Sequence, residues 1–227
     1  MNVLGIIGGM GPLATALFYK LIAENTPADC DQDHFETIIY SNPRIPKRVE
    51  FLLGQTSEDP VPELIRTARF LEASGATVLA MPCVTAHAFY DTLNQFVKLP
   101  FINMVDETVR YLQKNKITKV GILSSNGTLR CKYLQSKLQS SKIEVVIPSE
   151  QMQSAVTFAI YEEIKKNRYV TRKNLISVLE ELNENGVEAN LIACTDLSAY
   201  NQEFPLGGNS IDMMHILAQA SVSACLK

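Results

Sequence analysis

Leu79-Ala80-Met81-Pro82-Cys83-Val84-Thr85-Ala86-His87 is an apolar run that stops at Pro82-Cys83 and passes into a hydroxyl-bearing turn. It follows the turn Ser74-Gly75-Ala76-Thr77 and precedes Ala88-Phe89-Tyr90, spaced like one face of a helix, so it reads as a buried strand emptying into a helix. Cys83 then stands at the carboxyl end of a strand, the edge at which open α/β sheets bind ligands. A helix starting just beyond it would aim N–H groups and a positive dipole end at the sulfur and favour thiolate. The same position also suits a buried, inert thiol, the ordinary condition of a free cysteine.

Asn190-Leu191-Ile192-Ala193-Cys194-Thr195-Asp196-Leu197 repeats the arrangement: an apolar run, a small residue, cysteine, then threonine and a polar loop. Upstream, Gly5-Ile6-Ile7-Gly8-Gly9-Met10-Gly11-Pro12 is echoed by Gly121-Ile122-Leu123-Ser124-Ser125-Asn126-Gly127-Thr128, at a similar distance from its cysteine. Self-similarity on this scale points to a duplication. The expected architecture is α/β, two similar Rossmann-like lobes with parallel sheets, related by a pseudo-twofold axis that turns the two thiols toward one cleft. Two opposed acid/base groups are what inversion of a carbon centre needs.

The chain has 227 residues, enough for two lobes of about 100 residues each. With 46% apolar and 20% charged residues it has the make-up of a globular protein. A net charge of −3 supplies no basic stripe for nucleic acid. No run approaches the roughly 18 apolar residues of a membrane span, and the N-terminus enters a strand directly, so a cytoplasmic protein is expected. The 5 cysteines are scattered and odd in number, which fits reduced thiols, and no C-x-x-C suggests a metal.

The remaining segments alternate between strands and helices. Strands are expected at 3–7, 37–40, 100–104, 119–123 and 144–148. Helices are expected at 14–25, 63–73, 105–115, 128–138, 157–166, 174–185 and 211–226. Gly8 to Pro12 forms a tight turn, open to close approach by an anion such as a substrate carboxylate, but G-x-G-x-x-G cannot be laid on it and no dinucleotide is expected. Ser41 to Arg48 is a loop stiffened by two prolines, in which Arg44 and Lys47 suit solvent. His87, four residues after Cys83, could polarise the thiol or simply bond a backbone carbonyl. Chain crossings near Asn103 and Asn209 would divide residues 1–103 plus 210–227 from residues 104–209.

These motifs carry a resemblance. Gly5 to Pro12 followed by Ala14-Thr15, Ser41-Asn42-Pro43 with Ile45-Pro46 and Arg48, Pro82-Cys83 with Thr85-Ala86-His87, Gly127-Thr128 and Cys194-Thr195 occur in the order found in the aspartate/glutamate racemase family. The chain most resembles the aspartate racemase branch, which works without pyridoxal phosphate. The resemblance implies an enzyme without cofactor or metal in which Cys83 and Cys194 exchange the roles of base and acid. Arg48 and Lys165, the latter in Tyr161-Glu162-Glu163-Ile164-Lys165, would hold the side-chain carboxylate of a small acidic amino acid. Met10, Thr85, Ser125, Thr128 and Thr195 would line its α-carboxylate and amino subsites, and the protein would be a homodimer. One residue departs from the pattern, because Val84 stands where the family usually has asparagine. The rival readings are a maleate-type cis-trans isomerase, a hydantoin racemase and a silent sensor of acidic amino acids. The cationic pair argues against hydantoin, and retention of both cysteines argues against silence.

Overall fold

The structure is a computed structural model that describes residues 1–166, 168 and 170–227. Its backbone contacts divide it into two units, Met1–Glu107 with Met214–Lys227, and Thr108–Met213. Among the described residues, the chain runs β1 (Leu4–Gly8), α1 (Pro12–Asn25), β2 (Thr37–Ser41), α2 (Arg48–Leu52), α3 (Val61–Ala73), β3 (Val78–Ala80), α4 (Tyr90–Phe96), β4 (Phe101–Ile102) and α5 (Met104–Lys114). It continues with β5 (Lys119–Leu123), α6 (Asn126–Cys131), α7 (Tyr133–Ser140), β6 (Glu144–Val146), α8 (Glu150–Phe158), α9 (Arg172–Glu184), β7 (Ala189–Ile192), α10 (Thr195–Glu203), β8 (Ser210–Asp212) and α11 (Met213–Cys225).

Each unit contains one four-stranded sheet, ordered β2-β1-β3-β4 in the first and β6-β5-β7-β8 in the second. Every pairing is parallel. Helices cover the central strands, which explains why β1, β3 and β7 are buried at every position; β1 and β3 carry no polar side chain, and β7 carries one, Asn190, whose Nδ2 donates to Asn183 and Asn209. The duplicated glycines have a shared cause in this packing. A Cβ on Gly5 would lie 3.2 Å from Leu71 Cβ of α3, and one on Gly121 would lie 3.2 Å from Leu182 Cβ of α9. In both units the crossover helix rides close to the first strand of the sheet, and only glycine leaves that space. The buried faces of those helices are Leu64, Thr67, Ala68 and Leu71 in α3, and Leu175, Val178, Leu179 and Leu182 in α9.

Several local expectations change, among them the polar loop after Cys194, which is the helix α10, and the strand at 100–104, which ends at Ile102 before α5 begins at Met104. The helix expected at 128–138 is two helices, α6 and α7, broken at Lys132, whose φ of 56° is left-handed. Residues 211 and 212, expected to open the last helix, belong to the edge strand β8, paired Leu191↔Ile211 and Ile192↔Asp212 with β7; three residues are too few to show a strand period. At the end of α11, Cys225 is fully buried, and its carbonyl accepts the Asn2 N–H at 3.0 Å.

Candidate functional site

In a sheet ordered 2-1-3-4, the loops after the first and third strands leave in opposite directions, and the crevice at that reversal is where ligands sit in open α/β proteins. In the first unit these loops are Gly9–Gly11 after β1 and Met81–Val84 after β3. In the second unit they are Ser124-Ser125 after β5 and Ala193-Cys194 after β7. Both cysteines therefore occupy equivalent places in their own sheets.

In the first unit, Cys83 is buried in the same apolar cluster as Met10, Ile45, Met81 and Phe89. No α-helix starts directly behind it. The backbone makes a short 3₁₀ turn over Thr85–Phe89 before α4 begins. His87 lies wholly inside, with Nδ1 2.8 Å from the Cys83 carbonyl and Nε2 accepting the Met104 N–H at 3.1 Å. Because Nε2 is the acceptor, the proton sits on Nδ1 and is donated to the Cys83 carbonyl. Burial pushes the imidazole down to about 4 against the opposing pull of that carbonyl and of Asp106, so the ring is neutral at physiological pH. Of the two roles considered for His87, the backbone bond is the one present.

The loop after β1 is fixed by its own residues. Gly9 N–H donates to Thr15 Oγ1 at 2.9 Å, and that hydroxyl donates to the Gly11 carbonyl at 2.9 Å. Gly9 has a φ of 92°, and a Cβ on it would fall 2.3 Å from the backbone of Asn42. The glycine thus serves contact with the loop after β2. Gly11, in contrast, faces open space. Asn42 holds the β2 loop in turn: its Nδ2 donates to Glu63 Oε2 at 3.1 Å and to Thr67 Oγ1 at 3.3 Å, and its Oδ1 accepts the Arg44 N–H. At the end of that loop Arg48 Nη1 donates to the carbonyls of Ile45 and Pro46 at 3.2 and 3.1 Å. Its Nε is buried and has no hydrogen-bond partner among the described residues. Arg44 and Lys47 are exposed, as expected.

In the second unit, Ser125 caps α6. Its Oγ accepts the Thr128 N–H at 3.4 Å and lies 3.2 Å from Thr128 Oγ1. Gln153 of α8 donates to the Ser124 carbonyl at 2.9 Å and steadies this turn from behind. Cys194 caps α10, and Thr195 is its first, buried residue. The Cys194 thiol donates to Asp196 Oδ2 at 3.9 Å, a long bond even for sulfur. Lys165 Nζ approaches the same oxygen to 2.7 Å and lies 5.9 Å from the Tyr161 ring. The N–H groups of Asp196 and Leu197 act on the sulfur in the direction anticipated for a helix start. Burial and the Asp196 carboxylate outweigh them, and the Cys194 thiol is pushed up to about 12, although part of its surface reaches solvent. Burial opposes the Lys165 charge, but Asp196 more than compensates and the ammonium lies above its ordinary value.

Sequence reasoning singled out the cysteines, Arg48, Lys165 and the hydroxyl residues, but no role was visible there for Asn42, Gln153 or Asp196. Asn42 alone carried a local signal, the Asn-Pro turn. Gln153 acts on Ser124 and Asp196 on Lys165, both distant in sequence, besides the Cys194 thiol two residues from Asp196. Among the described residues, no group of three or more His, Cys, Asp or Glu could hold a metal ion, and no helix is long and apolar enough to cross a membrane.

The chain belongs to the Asp/Glu/Hydantoin racemase family, which matches it over residues 7–221, and it is an isomerase of the amino-acid racemase class. Among its relatives, the broad specificity amino-acid racemase RacX of Bacillus subtilis is 28% identical over 99% of this chain and 98% of its own. The aspartate racemase of Picrophilus torridus superposes with a TM-score of 0.84 at 31% identity, covering 100% of this chain and 95% of that one. The glutamate racemase of Francisella tularensis shares the fold, with a TM-score of 0.72 at 15% identity over 99% of this chain and 81% of its own.

Proposed function

We propose that the protein interconverts L- and D-aspartate without a cofactor, with Cys83 and Cys194 as the two acid/base groups. The observation that carries this reading is the equivalence of the two cysteines, each behind the third strand of a sheet of the same order, beside the loop from the first. In one direction a thiolate removes the α-proton and becomes a thiol. The opposite thiol gives its proton to the other face of the carbanion and becomes the thiolate, so the reverse reaction starts from the state the forward one leaves.

Without a cofactor to take up the electron pair, the carbanion depends on donors around the α-carboxylate. Ser125, Thr128 and Thr195 have the chemistry for that, with Met10 and Thr85 beside Cys83. Arg48 is assigned to the side-chain carboxylate. Among the described residues its guanidinium bonds only backbone carbonyls, and its buried Nε retains an unused donor. Lys165 is assigned to the same carboxylate through the family pattern. A homodimer in the cytoplasm belongs to this reading as well. Support for aspartate comes from the Picrophilus relative and from Arg48; support for a wider substrate range comes from RacX and from Val84, which cannot donate where asparagine would.

The test is incubation of L-aspartate with the protein in D₂O without pyridoxal phosphate. Deuterium at the α-carbon together with D-aspartate is the expected result. Inert aspartate with conversion of maleate to fumarate would make the protein an isomerase of the second kind. Binding of aspartate without exchange or conversion would make it a sensor.

A further inference from the structure

We infer that Asp196 is a specificity-determining residue, whose carboxylate occupies Lys165 in the free protein and so lets the site take amino acids that lack a side-chain charge. The inference rests on the proposed reading of Lys165 as a residue of the substrate site. Lys165 Nζ and Asp196 Oδ2 are 2.7 Å apart, and their side chains retain 40% and 20% exposure. Asp196 lies in the first turn of α10, where the helix terminus also favours its negative charge. Among the described residues, the other groups acting on Lys165 are the Tyr161 ring and the Cys194 sulfur.

Of the two cations assigned to a substrate carboxylate, Arg48 bonds only backbone carbonyls among the described residues, whereas Lys165 is already paired with Asp196. A half-buried ammonium left unpaired would penalise any substrate that brings no anion to it. Asp196 removes that penalty. An amino acid with an apolar side chain leaves the pair intact, and an acidic one must compete with Asp196 for the same donor.

Asp196→Asn keeps the shape of the side chain and removes its charge. Binding is measured by calorimetry with racemic aspartate and racemic alanine, so that turnover does not alter the titrant. The affinity for aspartate relative to alanine should rise by about fivefold, equivalent to an ion pair of about 1 kcal/mol. Asp196→Glu, which restores the charge, should return the ratio toward that of the native protein. In the same Asn variant, iodoacetamide should label Cys194 faster at a fixed pH, because the carboxylate that disfavours its thiolate is gone. Should Asp196→Asn fail to fold, Lys165→Met tests the same pair and should cost aspartate more affinity than alanine. An aspartate-to-alanine ratio that is unchanged or lower in Asp196→Asn overturns the inference. A raised ratio in a protein that racemises nothing would remove the proposed activity and leave the role of Asp196 standing, and racemisation with an unchanged ratio would do the reverse.

Discussion

Cys194 rests as a thiol because burial and a neighbouring carboxylate both act against its anion. A proton donor is what one of the two positions needs at the start of each turnover. Cys30, Cys131 and Cys225 lie away from the loops that follow β1, β3, β5 and β7. Cys30 is exposed in a loop, the Cys131 thiol is raised by burial while it bonds the Thr128 carbonyl, and Cys225 is sealed inside and pushed up to about 11. Cys83→Ala and Cys194→Ala should therefore each abolish racemisation in a protein of unchanged circular dichroism, while alanine at 30, 131 or 225 leaves turnover within a factor of about two. Full turnover in either of the first pair would end the two-base scheme. Val84 is the second informative residue. Asparagine there would add a donor for a carboxylate, and recovery of about 1.4 kcal/mol would raise kcat/KM for aspartate by about tenfold. A fall on Val84→Asn would instead mean that the valine touches an apolar part of the native substrate.

His87 acts on the scale of an element, fastening the segment after β3 to the first turn of α5 through one donor and one acceptor. Its folded-state value of about 4 lies below the ordinary value of 6.5, so between these the unfolded chain binds more protons than the native one. Stability should be complete above about pH 6.5 and fall as the pH drops toward 4, by an amount on the order of 3 kcal/mol from this residue. Urea midpoints across that range check the slope, and His87→Gln, which keeps a donor and an acceptor without titrating, should flatten it. The sequence could display the histidine four residues after the cysteine but not which atom it would meet, because Met104 comes from a different element. The same limit explains the other differences. Strand-end cysteines and crossover helices were legible through apolar runs and helical spacing. The three-residue β8 and the Lys165–Asp196 pair were not, since the first has too few residues to show a period and the second joins residues distant in sequence; nor was the break at Lys132, a single residue in the left-handed region.

At the scale of the whole molecule, duplication divides the proposed chemistry between two units, Cys83 in one and Cys194 in the other. A thiol carries a single proton, and in the two-base scheme the proton taken from one face is not the proton delivered to the other. Early in the conversion of L-aspartate in D₂O, deuterium should thus appear in the D product while the recovered L substrate keeps its α-hydrogen. Conversion of D-aspartate should give the mirror result. A single polyprotic base, such as a lysine serving both faces, would return part of the original hydrogen to the product and place deuterium in recovered substrate. Removing one cysteine sharpens the distinction. The protein with only Cys83 or only Cys194 retains a base on one side, so each variant should catalyse slow wash-out of the α-hydrogen from one enantiomer without inversion, and the two variants should choose opposite enantiomers. Proton NMR of the α-position, with chiral separation of the two forms, measures both quantities in one experiment. Wash-out from the same enantiomer in both variants would show that the cysteines do not face opposite sides of the substrate, and the division of labour inferred from the duplicated sheets would fail.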